Sequence, residues 1–336
     1  MVQPIEIKGE TLGYIESRRG GRQENQDFAD VRDTPLGYLI VVCDGMGGMQ
    51  GGRVASELAV YTIINAILAE DKQTDRGMAL VKAIRKANMA VIEEGQRNPE
   101  LRGMGTTVTA LLLTPYSAVT AYVGDSRIYQ LRKGKKIFRT FDHSMVFEMV
   151  KKKVISEEQA RLSAQSNVIM RALGIHLDVE VDIQELPYQK GDRFILCSDG
   201  FWGAMPEEQF IRYLVQKIPV NQVLESTANA VESLGRSSGM EYDNLTAAII
   251  EMKSNSILKE KMNRLAKCII SILAILLLVS IALNTCLFLG KIPTLKSDQP
   301  SVTEAVSDSE VIQSENASTV SEPEEKTPMD DQHKAQ

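Results

Sequence analysis

LIVVCDG, residues 39–45, runs five apolar residues straight into an Asp-Gly. A strand this apolar does not belong at a surface, where one wet face would impose alternation with polar residues. The arrangement recurs. RFILCSDG (193–200) ends in Asp199-Gly200, TAYVGDSR (120–127) carries Asp125 at the end of a third run, and DNLTAAII (243–250) opens a fourth with Asp243. Each run places a carboxylate at one tip of a buried strand. In antiparallel order, a strand that starts at an edge and one that ends there bring their tips together. Four converging carboxylates repel strongly at low dielectric, and a hard, oxygen-seeking divalent ion such as Mg²⁺ or Mn²⁺ relieves the repulsion. Taken singly, each Asp-Gly reads better as a turn; four of them at strand tips argue for a site.

A polar cluster precedes the first of these runs: Gly20-Gly21, then Arg22-Gln23-Glu24-Asn25-Gln26-Asp27. Its guanidinium is suited to gripping a phosphate with two parallel hydrogen bonds, five residues before another acid. As an isolated string it reads equally well as a solvated loop.

Around these motifs the chain of 336 residues is organised simply. Apolar, β-rich runs lie at 38–43, 108–113, 118–123, 128–131, 193–197 and 245–250. Helical periodicity appears at 53–69, 76–94, 146–153 and 206–218, the last with Pro206 at a first helical position. Strands at both ends with helical pairs between them suggest two packed sheets flanked by helices, an α+β arrangement. The four cysteines (Cys43, Cys197, Cys268 and Cys286) sit in apolar runs and read as buried small hydrophobes. With three histidines in the chain, a zinc or haem site is not expected.

Residues 268–290, CIISILAILLLVSIALNTCLFLG, hold no charge and are long enough to cross a bilayer as a helix. Lys253, Lys259, Lys261, Arg264 and Lys267 precede the span, which predicts that the N-terminal domain stays in the cytoplasm and the tail emerges outside. From Ser297 to Gln336 the local net charge is −8, against −6 for the whole chain, leaving about +2 for the rest. The acidic tail, rich in Ser, Pro and Thr, is expected to be disordered. The near-neutral body has no long basic patch, which argues against nucleic acid as a partner. Four segments are therefore expected: a catalytic domain over 1–252, a basic juxtamembrane stretch over 253–267, a transmembrane helix over 268–290 and the tail over 291–336.

ENQD, DGMGGMQGG, GMGTTVTALL, VGDSRIY, DHS, RALG, LCSDGFW and DNLTAAII occur in this order between residues 10 and 250. In that order they resemble the bacterial metal-dependent serine/threonine protein phosphatases of the 2C type. The resemblance implies a four-layer α-β-β-α sandwich of two antiparallel sheets. It implies a centre of two Mn²⁺ or Mg²⁺ ions with a third, weaker one. Asp44 matches the bridging ligand, and Gly45 the residue whose carbonyl binds one metal. Asp199 and Asp243 match the remaining ligands, with Asp125 a ligand of the third ion beside Asp199. Asp27 matches a carboxylate that orders water at the centre, and Arg22 the phosphate-binding arginine. The implied reaction is hydrolysis of phosphoserine and phosphothreonine in proteins by a metal-activated water, in-line and without a covalent intermediate. The implied partners are phosphorylated proteins, among them a membrane-associated Ser/Thr kinase or its targets.

Two positions depart from the family pattern. Gln26 stands where many relatives carry a Glu that reaches a metal through water, and Met46 where eukaryotic relatives carry a histidine. Thr106, Thr107 and His143 are expected to be structural. Residues 144–173, with Lys151-Lys152-Lys153, correspond to the family's variable flap. A competing reading is a non-catalytic, phosphatase-like binding module or scaffold in a membrane complex; retention of Asp44, Asp199 and Asp243 speaks against it.

Overall fold

The computed structural model describes residues 2–288 except 8, 9, 164, 166, 167, 238 and 240. The acidic tail, residues 291–336, and the end of the predicted membrane span lie outside the described residues. The chain opens with strands β1 (Gln3–Ile7), β2 (Glu10–Arg18), β3 (Asp27–Thr34) and β4 (Gly37–Met46). Helices α1 (Gly48–Leu68) and α2 (Arg76–Arg97) follow, then β5 (Gly105–Thr106), the hairpin β6 (Val108–Leu113) and β7 (Ala118–Val123), and the hairpin β8 (Arg127–Arg132) and β9 (Lys135–Arg139). Short helices α3 (Met145–Lys151) and α4 (Glu157–Arg161) precede β10 (Asp182–Leu186) and β11 (Arg193–Cys197). Helices α5 (Asp199–Trp202), α6 (Glu207–Leu214) and α7 (Val220–Ser237) lead into β12 (Leu245–Glu251), and α8 (Ile257–Phe288) ends the described chain.

Two antiparallel sheets result, ordered β1-β2-β12-β11-β8-β9 and β10-β7-β6-β4-β3, with β5 paired to the end of β4. Alternation within the apolar runs explains the layers. Along β4, Ile40 and Val42 face the core between the sheets, where they meet Leu111, Phe194, Leu196, Ala248 and Ile250. Leu39, Val41 and Cys43 face the opposite way, under Ile63, Ile67, Leu80 and Ile84 of α1 and α2. On the other sheet, Ile195, Cys197, Ala247 and Ile249 pack under Phe201, Phe210, Leu224 and Val231 of α5–α7. Both faces of each central strand are thus dry, as the unbroken apolar runs require. Each fully buried Leu, Ile or Phe contributes about 1.5–3 kcal/mol relative to exposure.

All six predicted strands and all four predicted helices are present, with edges that differ for local reasons. α1 starts five residues earlier than its apolar period suggests, because Gly47 (φ 121°) and Gly48 (φ 52°) turn the chain directly into the helix. Pro206 is the residue before α6 rather than its first turn. α7 escapes the sequence reading because its buried face mixes Thr227 and Ala228 with Val223, Leu224 and Val231.

The chain divides into two units, Met1–Ile275 and Leu276–Gln336. α8 contains the stretch Lys261–Cys286, long and apolar enough to cross a membrane, with an 18-residue window of mean hydropathy 2.7, none of it buried.

Candidate active site

The register of the sheets brings the aspartates to one end. Asp27, first residue of β3, pairs directly with Asp44 near the end of β4. β7 delivers Asp125 through Gly124 (φ 111°), β11 runs through Ser198 into Asp199, and Asp243 stands just before β12. An open cleft of about 1450 Å³ collects Arg22, Asp44, Gly45, Asp199 and Asp243 in its wall, with Gln26, Met46 and Ile169 of the flap. Asp27 and Asp125 lie beneath it, 5% and 3% exposed.

Asp44 is held by its backbone. The hydroxyl of Thr106 and the N–H of Thr107 both donate to its carbonyl at 2.8 Å, and its own N–H donates to Thr107 Oγ1 at 3.0 Å. Thr107 Oγ1 in turn shares a 2.7 Å hydrogen bond with Ser126, next to Asp125. At Gly45 a Cβ would stand 1.9 Å from the carbonyl oxygen of Gly52, so the strand can approach α1 only without a side chain.

The electrostatics are those of carboxylates crowded out of water. Burial is the first cause in each case. Asp27 is pushed up to about 7, opposed by hydrogen bonds from Ser198 and Thr246 and reinforced by the charges of Asp199 and Asp243. Asp199 is pushed up to about 6, by burial and by Asp243, while a hydrogen bond with Asp44 lowers it. Asp44 and Asp125 lie well above the usual carboxylate range through burial and their acidic neighbours. Asp27 Oδ1, Asp125 Oδ1 and Asp199 Oδ1 are buried without a hydrogen-bond partner. Buried oxygens without donors are costly, and a hard divalent cation is the partner this donor set fits. Among the described residues, no three acidic or histidine side chains already close round one point. One reason is visible: Asp243 is engaged by Arg22, whose Nε and Nη2 donate to its two oxygens at 3.1 and 3.0 Å.

Several organising residues escaped the sequence reading. Asn244, 5% exposed, accepts the Gln26 N–H at 2.8 Å and donates to the carbonyls of Arg19 and Glu24 at 2.6 and 2.9 Å. One amide therefore fixes the loop that carries Arg22 and leads into Asp27. Ser198 donates to Asp27 Oδ2 at 2.8 Å. Trp202 donates its indole N–H to the carbonyl of Asp125 at 3.1 Å, and its ring lies 3.3 Å from the Arg127 guanidinium carbon. Arg127 forms a buried bidentate pair with Asp142 at 2.7–2.8 Å. The signal available beforehand was small: Ser126, Ser198 and Asn244 are short polar residues adjacent to three of the aspartates.

Thr106 and Thr107 thus do more than pack a sheet. Gln26 donates from Nε2 to the carbonyl of Gly48 at 2.9 Å, tying its loop to the start of α1. His143 brackets Gly124: its Nδ1 accepts the Gly124 N–H at 3.1 Å, and its own N–H donates to the Gly124 carbonyl at 3.0 Å. Lys151–Lys153 are exposed on the flap.

The sequence matches the family described as Protein phosphatase 2C over residues 16–246. It is 34% identical over 239 residues to the serine/threonine phosphatase stp of Listeria innocua, covering 69% of this chain and 88% of that protein. Among solved structures, the serine/threonine phosphatase of S. agalactiae superposes with a TM-score of 0.64 at 29% identity, over 71% of this chain and 98% of that one. The catalytic domain of the serine/threonine protein phosphatase PstP, in complex with two manganese ions, gives a TM-score of 0.59 at 30% identity, over 71% and 97%.

Proposed function

Given that the chain belongs to the protein phosphatase 2C family, and is a serine/threonine protein phosphatase, we propose that its chemistry takes place at the aspartate end of the sandwich. The family is metal-dependent. In our reading Asp44, Asp199, Asp243 and the carbonyl of Gly45 would hold two divalent cations, Mn²⁺ or Mg²⁺, and Asp125 with Asp199 a third. When bound, the ions supply an activated water and neutralise charge on the phosphoryl group.

The protein's own groups do the rest. Arg22 orients two phosphoryl oxygens with its fork. The pair it makes with Asp243 competes with that role, and a cation on Asp243 would free the guanidinium. Asp27, locked by Ser198, orders water beside the reacting phosphorus. Gln26 brings no charge to the centre and is occupied with Gly48, so the cations must be held by fewer negative groups than in relatives with a glutamate there.

The observation that carries this reading is the set of partnerless buried oxygens on Asp27, Asp125 and Asp199. The test is phosphate release from a phosphothreonine peptide by the full chain. Release should require Mn²⁺ or Mg²⁺, stop with EDTA and fall to background in Asp44→Asn. Near-normal turnover by that variant at saturating Mn²⁺ would sink the assignment.

The same proposal extends to the C-terminal segment. α8 would cross the membrane over 268–290, with the phosphatase domain (1–252) and the basic stretch (253–267) in the cytoplasm and the tail (291–336) outside. Tethering would concentrate the enzyme near a membrane-associated Ser/Thr kinase or its targets. Support comes from the hydropathy of Lys261–Cys286 and the basic residues before it. Release of the chain from membranes by alkaline carbonate would reject it.

A further inference from the structure

The strands that bear the candidate aspartates all have their other ends at the far pole of the sandwich. The turn between β6 and β7 (114–117), the turn between β8 and β9 (133–134), the segment 187–192 and the chain leaving β12 gather there. They stand one strand length, about 20 Å, from the aspartates.

α8 is rooted at this pole, and rooted firmly. Ser256 is fully buried. Its N–H and hydroxyl donate to the carbonyl of Tyr188 at 2.9 and 3.0 Å, and its Oγ accepts the Tyr188 N–H at 3.0 Å. The Tyr188 hydroxyl donates to the carbonyl of Thr114 at 2.7 Å, and the Ile257 N–H to that of Pro115 at 3.0 Å. One turn further on, the Lys261 ammonium lies 5.3 Å from the centre of the Tyr116 ring. No free linker separates the body from the helix. The uncharged span begins at Cys268, about 16 Å along the helix from Ile257. The headgroup layer reaches about 6 Å beyond the hydrocarbon. Ile257 at the pole therefore stands no more than about 10 Å from a charged surface, within about a Debye length at physiological salt.

The pole also carries the complementary charge. Lys133, Lys135, Lys190 and Lys253 are exposed. The acids beside them are already engaged, Asp192 by Arg132 and Glu251 by Arg193. Among the described residues Glu185, which accepts the Ser117 hydroxyl, has no ion pair, and Asp33 near the end of β3 and Glu6 near the end of β1 are further exposed acids of this pole, on strands away from the lysines. These ties also make the lysines neighbours: Gly191 donates to the carbonyl of Met252, placing Lys190 beside Lys253, while the Arg132–Asp192 pair links them to Lys133 and Lys135. Lys261, Arg264 and Lys267 extend the basic face along the first turns of α8.

We propose that this pole is a lipid-binding surface. Anionic headgroups of the bilayer that α8 enters occupy it, and the catalytic cleft opens away from the membrane towards cytoplasmic phosphoproteins. The inference rests on the tether reading above.

The test uses the full chain in phosphatidylcholine nanodiscs with and without about 30% phosphatidylglycerol, and measures lysine acetylation rates by mass spectrometry. Lys133, Lys135, Lys190 and Lys253 should react at least about threefold more slowly in the anionic discs, with Lys151 and Lys152 on the flap unchanged. The full chain carrying Lys133→Gln, Lys135→Gln, Lys190→Gln and Lys253→Gln should still hydrolyse a soluble phosphopeptide. It should lose the extra protection of the 114–117 amides against deuterium exchange in anionic discs. Equal acetylation in both discs, or protection of the flap lysines instead, overturns the pole assignment alone. A chain that does not co-purify with the discs overturns the tether and the pole with it.

Discussion

Asn244 and Arg22 show how much of the site depends on single side chains. The Asn244 amide spans the carbonyls of Arg19 and Glu24 and the N–H of Gln26, so the loop has little freedom to move the guanidinium. Asn244→Ala leaves those backbone groups unpaired, at a cost of about 1–3 kcal/mol. The expected result is a rise in KM for a phosphopeptide of roughly tenfold, with a smaller fall in kcat. Arg22→Ala removes a bidentate, charge-assisted contact and should also act mainly on KM, by about 10- to 100-fold. If Asn244 works by positioning Arg22, the two losses will not add: Arg22→Ala should cost much less in the Asn244→Ala background. Full additivity in that double-mutant cycle would show that Asn244 acts on something else, and an unchanged KM for Arg22→Ala would remove Arg22 from the phosphate site.

At the scale of elements, the junction between β8, α3 and α5 is the most exposed to a single change. Arg127 on β8 is buried, paired with Asp142, and lies between the rings of Trp202 on α5 and Phe147 on α3. Breaking a buried ion pair by removing one partner costs about 3–5 kcal/mol, or roughly a 10 °C fall in Tm for a domain of this size. Asp142→Ala should show that loss by thermal unfolding, and Arg127→Met in the same chain should recover part of it. A fall of only a degree or two would mean that water reaches the guanidinium. The sequence announced β8 through its apolar run, yet nothing in GDSR or DHS says that their charged members meet each other. The same division holds across the fold. β4, β6, β7, β11 and β12 were legible because each is dry on both faces. β1, β3, β9 and β10 were not, because half-exposed strands such as β3 (DFADVRDT) carry too few apolar residues to stand out from loop. The aspartates were legible as strand tips. Their hydrogen-bonded supports, Thr107–Ser126 and Asn244, depend on register between distant strands and leave no local pattern.

For the molecule as a whole, the aspartate end should make the metal-free protein respond to pH in the opposite sense to an ordinary salt-bridged domain. Asp27 is raised to about 7 and Asp199 to about 6, from a usual 3.8, chiefly by burial. The folded state therefore binds more protons than the unfolded chain between about pH 4 and 7. The stability this represents is complete below the unfolded value near 4 and is lost as pH rises through 6 to 7. Asp44 and Asp125, raised for the same cause, act in the same direction. His143 opposes them: burial lowers it, so it favours the folded state above about 6.5, but it is one group against four. Cations reverse the balance, because they bind deprotonated carboxylates and release protons on binding. In EDTA, then, Tm should fall between pH 5 and pH 8. The rise in Tm on adding Mn²⁺ should be small at pH 5 and grow to several degrees or more at pH 8. Differential scanning calorimetry with and without Mn²⁺ across that range makes the comparison. A metal-free Tm that is flat or rising from pH 5 to 8 would mean that the four carboxylates are already relieved by some other charge. A Mn²⁺ increment independent of pH would mean that the ion binds elsewhere.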